Sequence, residues 1–260
     1  MRMIKSLKNI SGFGLCLLST SMLAIAGPPP FTVDDPAPLD PDCWEFGFAS
    51  HHLQTAAGWS GTAASLEINY GLVPDLQLHL LAPFAYDAPS GGDSHHGYGD
   101  TELGVKFRFL DESDSLPEAA IYPLVQTPTG DEQDGLGSGH TQAFLPIWLQ
   151  KNIGAWAIYG GGGLGIHSGA GNSNWEFGGL VIQRQITRTF LLGAEIYRHT
   201  AMTDHGGGNT VFNIGTAYDF SDSHHLLITA GRSLDGPTDF QVNVTYQLTC
   251  CHLIGWLNHP

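Results

Sequence analysis

Basic residues are scarce in this 260-residue chain: ten Lys and Arg stand against 25 Asp and Glu, for a formal charge of −15. That balance excludes nucleic acid as a direct partner, because phosphate recognition runs on Lys and Arg. Charged residues of both signs together make up only 13% of the chain. Beyond the first 26 residues there is also no run of eighteen apolar residues, so no α-helix of the remainder is suited to crossing a bilayer. Gly-x-Ser-x-Gly elbows, His-Glu-x-x-His pairs and phosphate-cradling Gly-rich loops are missing, so nothing assigns a catalytic step and no cofactor is expected. The four cysteines lack the Cys-x-x-Cys spacing of zinc or redox sites.

Glycine, at 34 residues, and aromatics, at 10%, are plentiful. The glycines alternate with Leu, Ile, Phe and Tyr rather than with Ser and Gln, which points to an ordered β-rich wall and away from disorder. The N-terminus reads as an export leader over residues 1–26. Arg2, Lys5 and Lys8 precede an apolar run from Ile10 to Leu23, and Ala24-Ile25-Ala26 supplies a small-x-small cleavage site. Its removal leaves seven bases against 25 acids, a formal charge of −18. Residues 27–42, with six prolines and four aspartates, read as an extended periplasmic segment.

From Cys43 onward the dominant signal has a period of two. Over residues 99–110, Thr101, Leu103, Val105, Phe107 and Phe109 fall on one face of a strand, and Asp100, Glu102, Gly104, Lys106 and Arg108 on the other. Acids and bases in a row opposite an unbroken apolar face suit a wall with lipid outside and a polar lumen inside. About twelve such segments run to residue 249. Short turns alternate between them with longer Gly/Asp/His-rich loops at 53–61, 88–98, 128–140, 168–173 and 200–209. We therefore expect an all-β chain: a closed, antiparallel, up-and-down transmembrane β-barrel of about twelve strands over residues 43–249, with a periplasmic tail at 250–260. Tyr70, Tyr86, Phe109, Trp148, Trp156, Trp175, Tyr218 and Tyr246 lie near strand ends, where interfacial aromatic girdles sit.

The run Gly99-Asp100-Thr101-Glu102-Leu103-Gly104-Val105-Lys106-Phe107-Arg108-Phe109 resembles the signature strand of a bacterial outer-membrane family named for the MetA pathway of phenol degradation. Gln126-Thr127-Pro128-Thr129-Gly130 is similar to that family's next landmark, a Pro-x-Gly rim. The resemblance covers roughly residues 44–248. It implies a barrel that passes small molecules, among them hydrophobic and aromatic ones, with no enzymatic step. Its implied setting is the outer membrane of a Gram-negative-type bacterium, with outer-membrane lipid, a small-molecule solute and the barrel-assembly machinery as partners. The chain departs from the family pattern by continuing past its last strand instead of ending on an aromatic residue. A rival reading is a non-conducting barrel that binds or adheres through acidic, His-rich extracellular loops.

Asp100, Glu102, Lys106 and Arg108 are the foremost lumen candidates, joined by Glu67, Glu195 and Asp219. They form either a selectivity constriction or a mutually paired network that fills the barrel. Thirteen histidines, many at the predicted outer rim, raise zinc or copper binding. No pair has dedicated spacing, so no metal is expected, and His95 and His96 are the nearest candidates. Pro83, Pro123 and Pro146 mark a wall bulge or a lateral exit. The glycines at 160–163 and 165 either make room in the lumen or bend a strand. Cys43 opens the first strand and Cys250 ends the last, so in a closed barrel within an oxidising periplasm a Cys43–Cys250 bridge is expected, with Cys251 on the opposite face.

Overall fold

A computed structural model describes residues 30–251. The expected leader, residues 27–29 and residues 252–260 lie outside the described residues. Fourteen strands follow in order: β1 (Cys43–Thr55), β2 (Gly58–Val73), β3 (Leu76–Pro89), β4 (His95–Tyr98), β5 (Thr101–Leu110), β6 (Glu118–Ile121), β7 (Leu124–Thr127), β8 (Gln142–Ile153), β9 (Trp156–His167), β10 (Trp175–Thr187), β11 (Phe190–His199), β12 (Asn209–Ser221), β13 (His224–Asp235) and β14 (Thr238–Cys251). β3 pairs with both β4 and β5, and β8 with both β6 and β7, so each of those couples is one interrupted stave. β1 pairs antiparallel with β2 on one side and β14 on the other. The result is a closed antiparallel barrel of twelve staves.

The alternation that predicted the barrel decides which side chain goes where. On β5, Leu103, Val105, Phe107 and Phe109 stand on the outer surface, while Gly104 and Lys106 are buried inside. Leu145, Ile147 and Leu149 on β8, Ile214 on β12 and Val244 on β14 continue the outer apolar belt. A continuous apolar exterior of this extent would be unfavourable in water and is satisfied by lipid.

Two expectations about the wall change. The loop expected at 53–61 is a two-residue turn: β1 and β2 keep pairing through Leu53↔Ser60, Gln54↔Trp59 and Thr55↔Gly58. Polar composition there reflects a hairpin continuing past the apolar belt, not a loss of strand. Trp148, expected in an aromatic girdle, is 2% exposed and lies in the lumen. Beyond Tyr159 the inward positions of β9 are Gly161, Gly163 and Gly165, and a Cβ at Gly161 would press on Trp148 and one at Gly165 would enter the Trp175 ring. These three glycines therefore make room inside the barrel.

The three strand prolines all fall at the two interruptions. Pro83 faces the gap between β4 and β5, Pro123 lies in the gap between β6 and β7, and Pro146 on β8 lies opposite Tyr122 in that same gap. Proline brings no N–H, so a ladder loses least where it is already broken. Backbone bonds still cross both breaks: Gly99 N donates to Pro83 O (2.9 Å), Val105 N to Pro123 O (3.1 Å) and Tyr122 N to Pro146 O (3.2 Å). The wall is continuous across both breaks: pairing along β3 shifts by one residue at the first, and the register with β5 and β8 is kept across the second.

The seam differs from the expected Cys43–Cys250 bridge. Cys43 is bonded to Cys251, and Cys250 is free. Register is the reason: Cys43 lies directly opposite Cys251, whereas Cys250 lies opposite Trp44, one residue out of phase and on the other face. The last strand accordingly runs to residue 251 and not 249. In the chain freed of its leader, maleimide should label one thiol before reduction and three after it. Cys250→Ala should leave the bridge intact, while Cys251→Ala should remove it and lower stability by about 2–4 kcal/mol, read from the temperature of heat-modifiable gel mobility. Labelling of Cys251 before reduction would contradict this register.

Candidate functional site

Residues 30–42, expected in the periplasm, run inside the barrel. The stem of this segment is fixed at the end that carries Cys43. Asp42 N donates to Gly71 O (2.9 Å) and Leu39 N to the Gln77 side-chain oxygen (2.9 Å). Farther up, Glu195 accepts from Val33 N (2.9 Å) and Thr32 N (3.2 Å), and the Thr229 hydroxyl donates to the Pro30 carbonyl. Val33 is fully buried with Tyr122, Trp148, Tyr159, Val181, Tyr197 and Val211. The wall is relieved to receive it: a Cβ on Gly179 would run into Val33, and one on Gly193 or Gly215 into the Phe31 ring. Three apolar residues in an Asp/Pro-rich stretch, Phe31, Val33 and Leu39, were the sequence signal for this plug, and apolar groups of that kind gain by leaving water.

The expected lumen charges do not gather into one constriction. Each makes its own contacts, at successive heights. Asp100 is at the end opposite the seam, where it accepts from Gly130 N (2.9 Å), Ser138 N (2.7 Å) and the Ser138 hydroxyl (2.7 Å), tying down the 128–141 loop. Glu102 lies 3.4 Å from His79 Nε2, and Glu67 lies 3.5 Å from His79 Nδ1. Asn69 links this group inward by donating to Glu67 (2.9 Å) and to Glu45 (3.0 Å), which also accepts from Gln247 (2.6 Å). Lys106 meets the plug, with Nζ 3.1 Å from Asp34 and 3.8 Å from Asp35. Arg108 is at the seam-side rim, bound to Asp75 (2.5 Å), Glu118 (3.0 Å) and Asp111 (3.2 Å). Glu195 holds the plug, and Asp219 accepts from His225 (2.7 Å) near the same rim as Arg108.

His95 pairs with Asp134 at the far rim (3.1 Å), and the His96 ring lies 6.1 Å from Phe84. Among the described residues no group of three or more His, Cys, Asp or Glu is arranged to hold a metal ion. Sequence reasoning missed His79, Glu45 and Asn69, because isolated polar residues on a period-two face look alike until their neighbours are known.

Beside the plug the lumen is open. A cavity of about 330 Å³ lies between the upper part of the plug and the inner faces of β1, β2, β13 and β14. A water-sized void of about 30 Å³ lies below it among Asp34, Asp35, Glu45, Glu67 and Lys106. Glu67 borders both.

A twelve-stave barrel with an apolar exterior, a polar interior and an inserted N-terminal segment has the fold of the outer-membrane β-barrel proteins. Among solved structures, an outer membrane channel from Pseudomonas putida F1 is similar over 82% of this chain and 97% of its own, at a TM-score of 0.70 and 17% identity. The NanC porin is similar over 79% of this chain and 98% of its own, at a TM-score of 0.53 and 8% identity. No family model matches the chain.

Two expectations follow for the plug. Lys106→Ala leaves Asp34 and Asp35 buried without their cation, a loss of about 3–5 kcal/mol. Hydrogen exchange at the Val33 amide should accelerate accordingly while the β-sheet amides stay protected; unchanged Val33 protection would show that the ion pair does not hold the segment. Burial pushes the Asp35 carboxyl up to about 7, against the pull of Lys106 and with Asp34 and Glu118 adding to the rise. A raised carboxyl means that the docked segment binds more protons than the free one between pH 3.8 and about 7. Docking should be strongest at acid pH and weaken as the pH rises through 7. Corrected for intrinsic exchange, the Val33 amide should be better protected at pH 5 than at pH 8, and Asp35→Asn should abolish the difference.

Proposed function

We propose that this protein is an outer-membrane barrel for the passive passage of small molecules, placed in a Gram-negative-type envelope by a cleaved leader and the barrel-assembly machinery. The observation that carries the reading is the lumen itself: a polar-walled cavity of about 330 Å³ lies beside a plug attached through discrete polar contacts. A barrel built only as a support would gain by filling that space with side chains, since small barrels pack their interiors. The likeness to an outer membrane channel over nearly its whole length supports the same reading. The resemblance of residues 99–109 to the family named for the MetA pathway of phenol degradation adds hydrophobic or aromatic solutes as candidates for passage. No catalytic step is part of this reading.

The rival, a non-conducting barrel that works through its loops, draws support from one feature: the apolar cluster around Val33 closes part of the lumen. In this reading the far end, with the longer loops at 128–141, 168–174 and 200–208, faces outward, and the seam faces the periplasm.

The two readings part in a planar bilayer. The mature protein should show small, discrete conductance with a preference for cations, set by the acidic lumen. A variant lacking residues 30–39 should conduct several-fold more. If neither conducts, although gel mobility shows both to be folded barrels, passage fails and the rival stands.

A further inference from the structure

The cavity beside the plug has a chemistry of its own. Its floor is Pro30 and Phe31, and ten of its fifteen lining residues are polar. The polar groups are stacked in register. Thr62, His51 and Asn243 form an upper rung, and Ser65, Ala49 and Thr245 the next. Glu67, Gly47 and Gln247 form the third, where β1 exposes only a hydrogen atom between the two flanking side chains. A Cβ at Gly47 would stand 3.5 Å from Glu67 Oε2 and 3.6 Å from the Thr245 methyl, so the glycine keeps the base of the recess open.

Charge selects among solutes. Glu67 is the one acidic side chain in the lining, and neither Lys nor Arg borders the cavity. Its Oε1 is committed, accepting from Asn69 at 2.9 Å with His79 Nδ1 at 3.5 Å. Its Oε2 has no donor among the described residues, and the side chains of His51, Thr62, Asn243 and Thr245 likewise have no hydrogen-bond partner among them. An anion would meet a carboxylate with no cation to offset it. An apolar solute would strip water from polar groups and give nothing in return. A cation carrying hydroxyl groups satisfies both demands.

We propose that this recess is a solute-binding subsite for a small, hydroxyl-bearing primary amine. The ammonium rests on Glu67 Oε2, the hydroxyls meet His51, Thr62, Asn243 and Thr245, and an aliphatic or ring face lies on Phe31. The volume suits a solute of hexose size, since ligand pockets begin near ~300 Å³. The inference rests on the passage reading, to which it adds a solute class that differs from the apolar one implied by the resemblance.

Glucosamine, glucose and glucuronate share a ring and differ in charge, which makes them suitable probes. Each is titrated into isotope-labelled, refolded mature protein and followed by nuclear magnetic resonance. Glucosamine should shift the Asn243 side-chain amide and the His51 and Thr62 backbone amides saturably, with at least tenfold tighter binding than glucose, and glucuronate should leave them unmoved. Glu67→Gln should bring glucosamine down to the level of glucose. Asn243→Leu should weaken both, which separates the hydroxyl wall from the carboxylate. Equal response to all three probes, shifts outside the recess, or indifference to Glu67→Gln would overturn the proposal. Conductance of the same preparation distinguishes this from failure of the underlying reading. A conducting barrel without amine preference sinks the subsite alone. A silent barrel, with or without residues 30–39, that still binds glucosamine sinks passage and leaves the subsite standing.

Discussion

The ammonium of Lys106 sets the terms for the interior. It is 4% exposed, and a lone buried ammonium is among the costliest groups a protein can hold. The wall supplies acids around it, yet the groups at ion-pair distance, Asp34 and Asp35, come from the N-terminal segment. The barrel thus completes its charge balance by drawing its own N-terminus into the lumen. The remaining luminal acids follow the same logic. Glu195 spends its oxygens on the plug's backbone amides, and Glu45 spends its own on the amides of Asn69 and Gln247. Bonds to Glu195 and the ion pair with Lys106 act together, so a short segment with little apolar surface can still be held.

Shape works alongside charge. Gly179, Gly193 and Gly215 lie on three consecutive staves and form the side of the lumen against which Phe31 and Val33 pack. On the other side, Gly104 lies under Tyr122 and Leu124, the two residues that flank Pro123 between β6 and β7. Aromatic bulk is therefore concentrated on β6 to β11, around Tyr122, Trp148, Tyr159 and Tyr197. The β1, β2, β13 and β14 side carries short polar side chains and stays open. The asymmetry of the lumen is a consequence of where glycines and large aromatics fall on the inward parity of each stave.

That parity is also what made the fold legible. The outer face of β5, the closure of the barrel and the stave count all follow from a period of two, a local property that each stretch of sequence states independently. Quantities that depend on register between strands were not legible. Cys250 and Cys251 differ by one position, and one position is a change of face, so the bridging partner could not be chosen without the β1–β14 pairing. The turn at residues 56–57 was hidden because a hairpin that leaves the membrane loses its apolar face while keeping its hydrogen bonds. Trp148 was misplaced because a tryptophan near a strand end suits an interfacial girdle or a lumen equally, and only the glycines facing it decide between the two. The candidate charges were found as a set, because charge on the inward face is conspicuous. Their division into rim ties, plug ties and an inner network depends on long-range partners that no window of sequence contains.

The plug has two mechanically different parts, and this limits how anything could pass. Its stem ends at Asp42, whose positive φ of 61° turns the chain into β1, next to the residue cross-linked across the seam. Gly71 lets the stem backbone lie against the wall, since a Cβ there would overlap the Asp40 carbonyl. Asp42 and Cys43 close the stem with backbone bonds to Gly71 and Asp40. Moving the stem would mean breaking its bonds to Gly71 and Gln77 on the wall. The arm, residues 30–38, is held instead by side chains: the carboxylate of Glu195, the ammonium of Lys106 and the hydroxyl of Thr229. Pro36 and Pro38 fix φ along it, so it has few internal conformations to explore and moves as a stiff piece when those contacts yield. Widening the lumen therefore means swinging the arm about the stem, and the side it would leave is the glycine-lined face of β10 to β12. The barrel wall can remain unchanged while the arm alone sets how much of the lumen is filled.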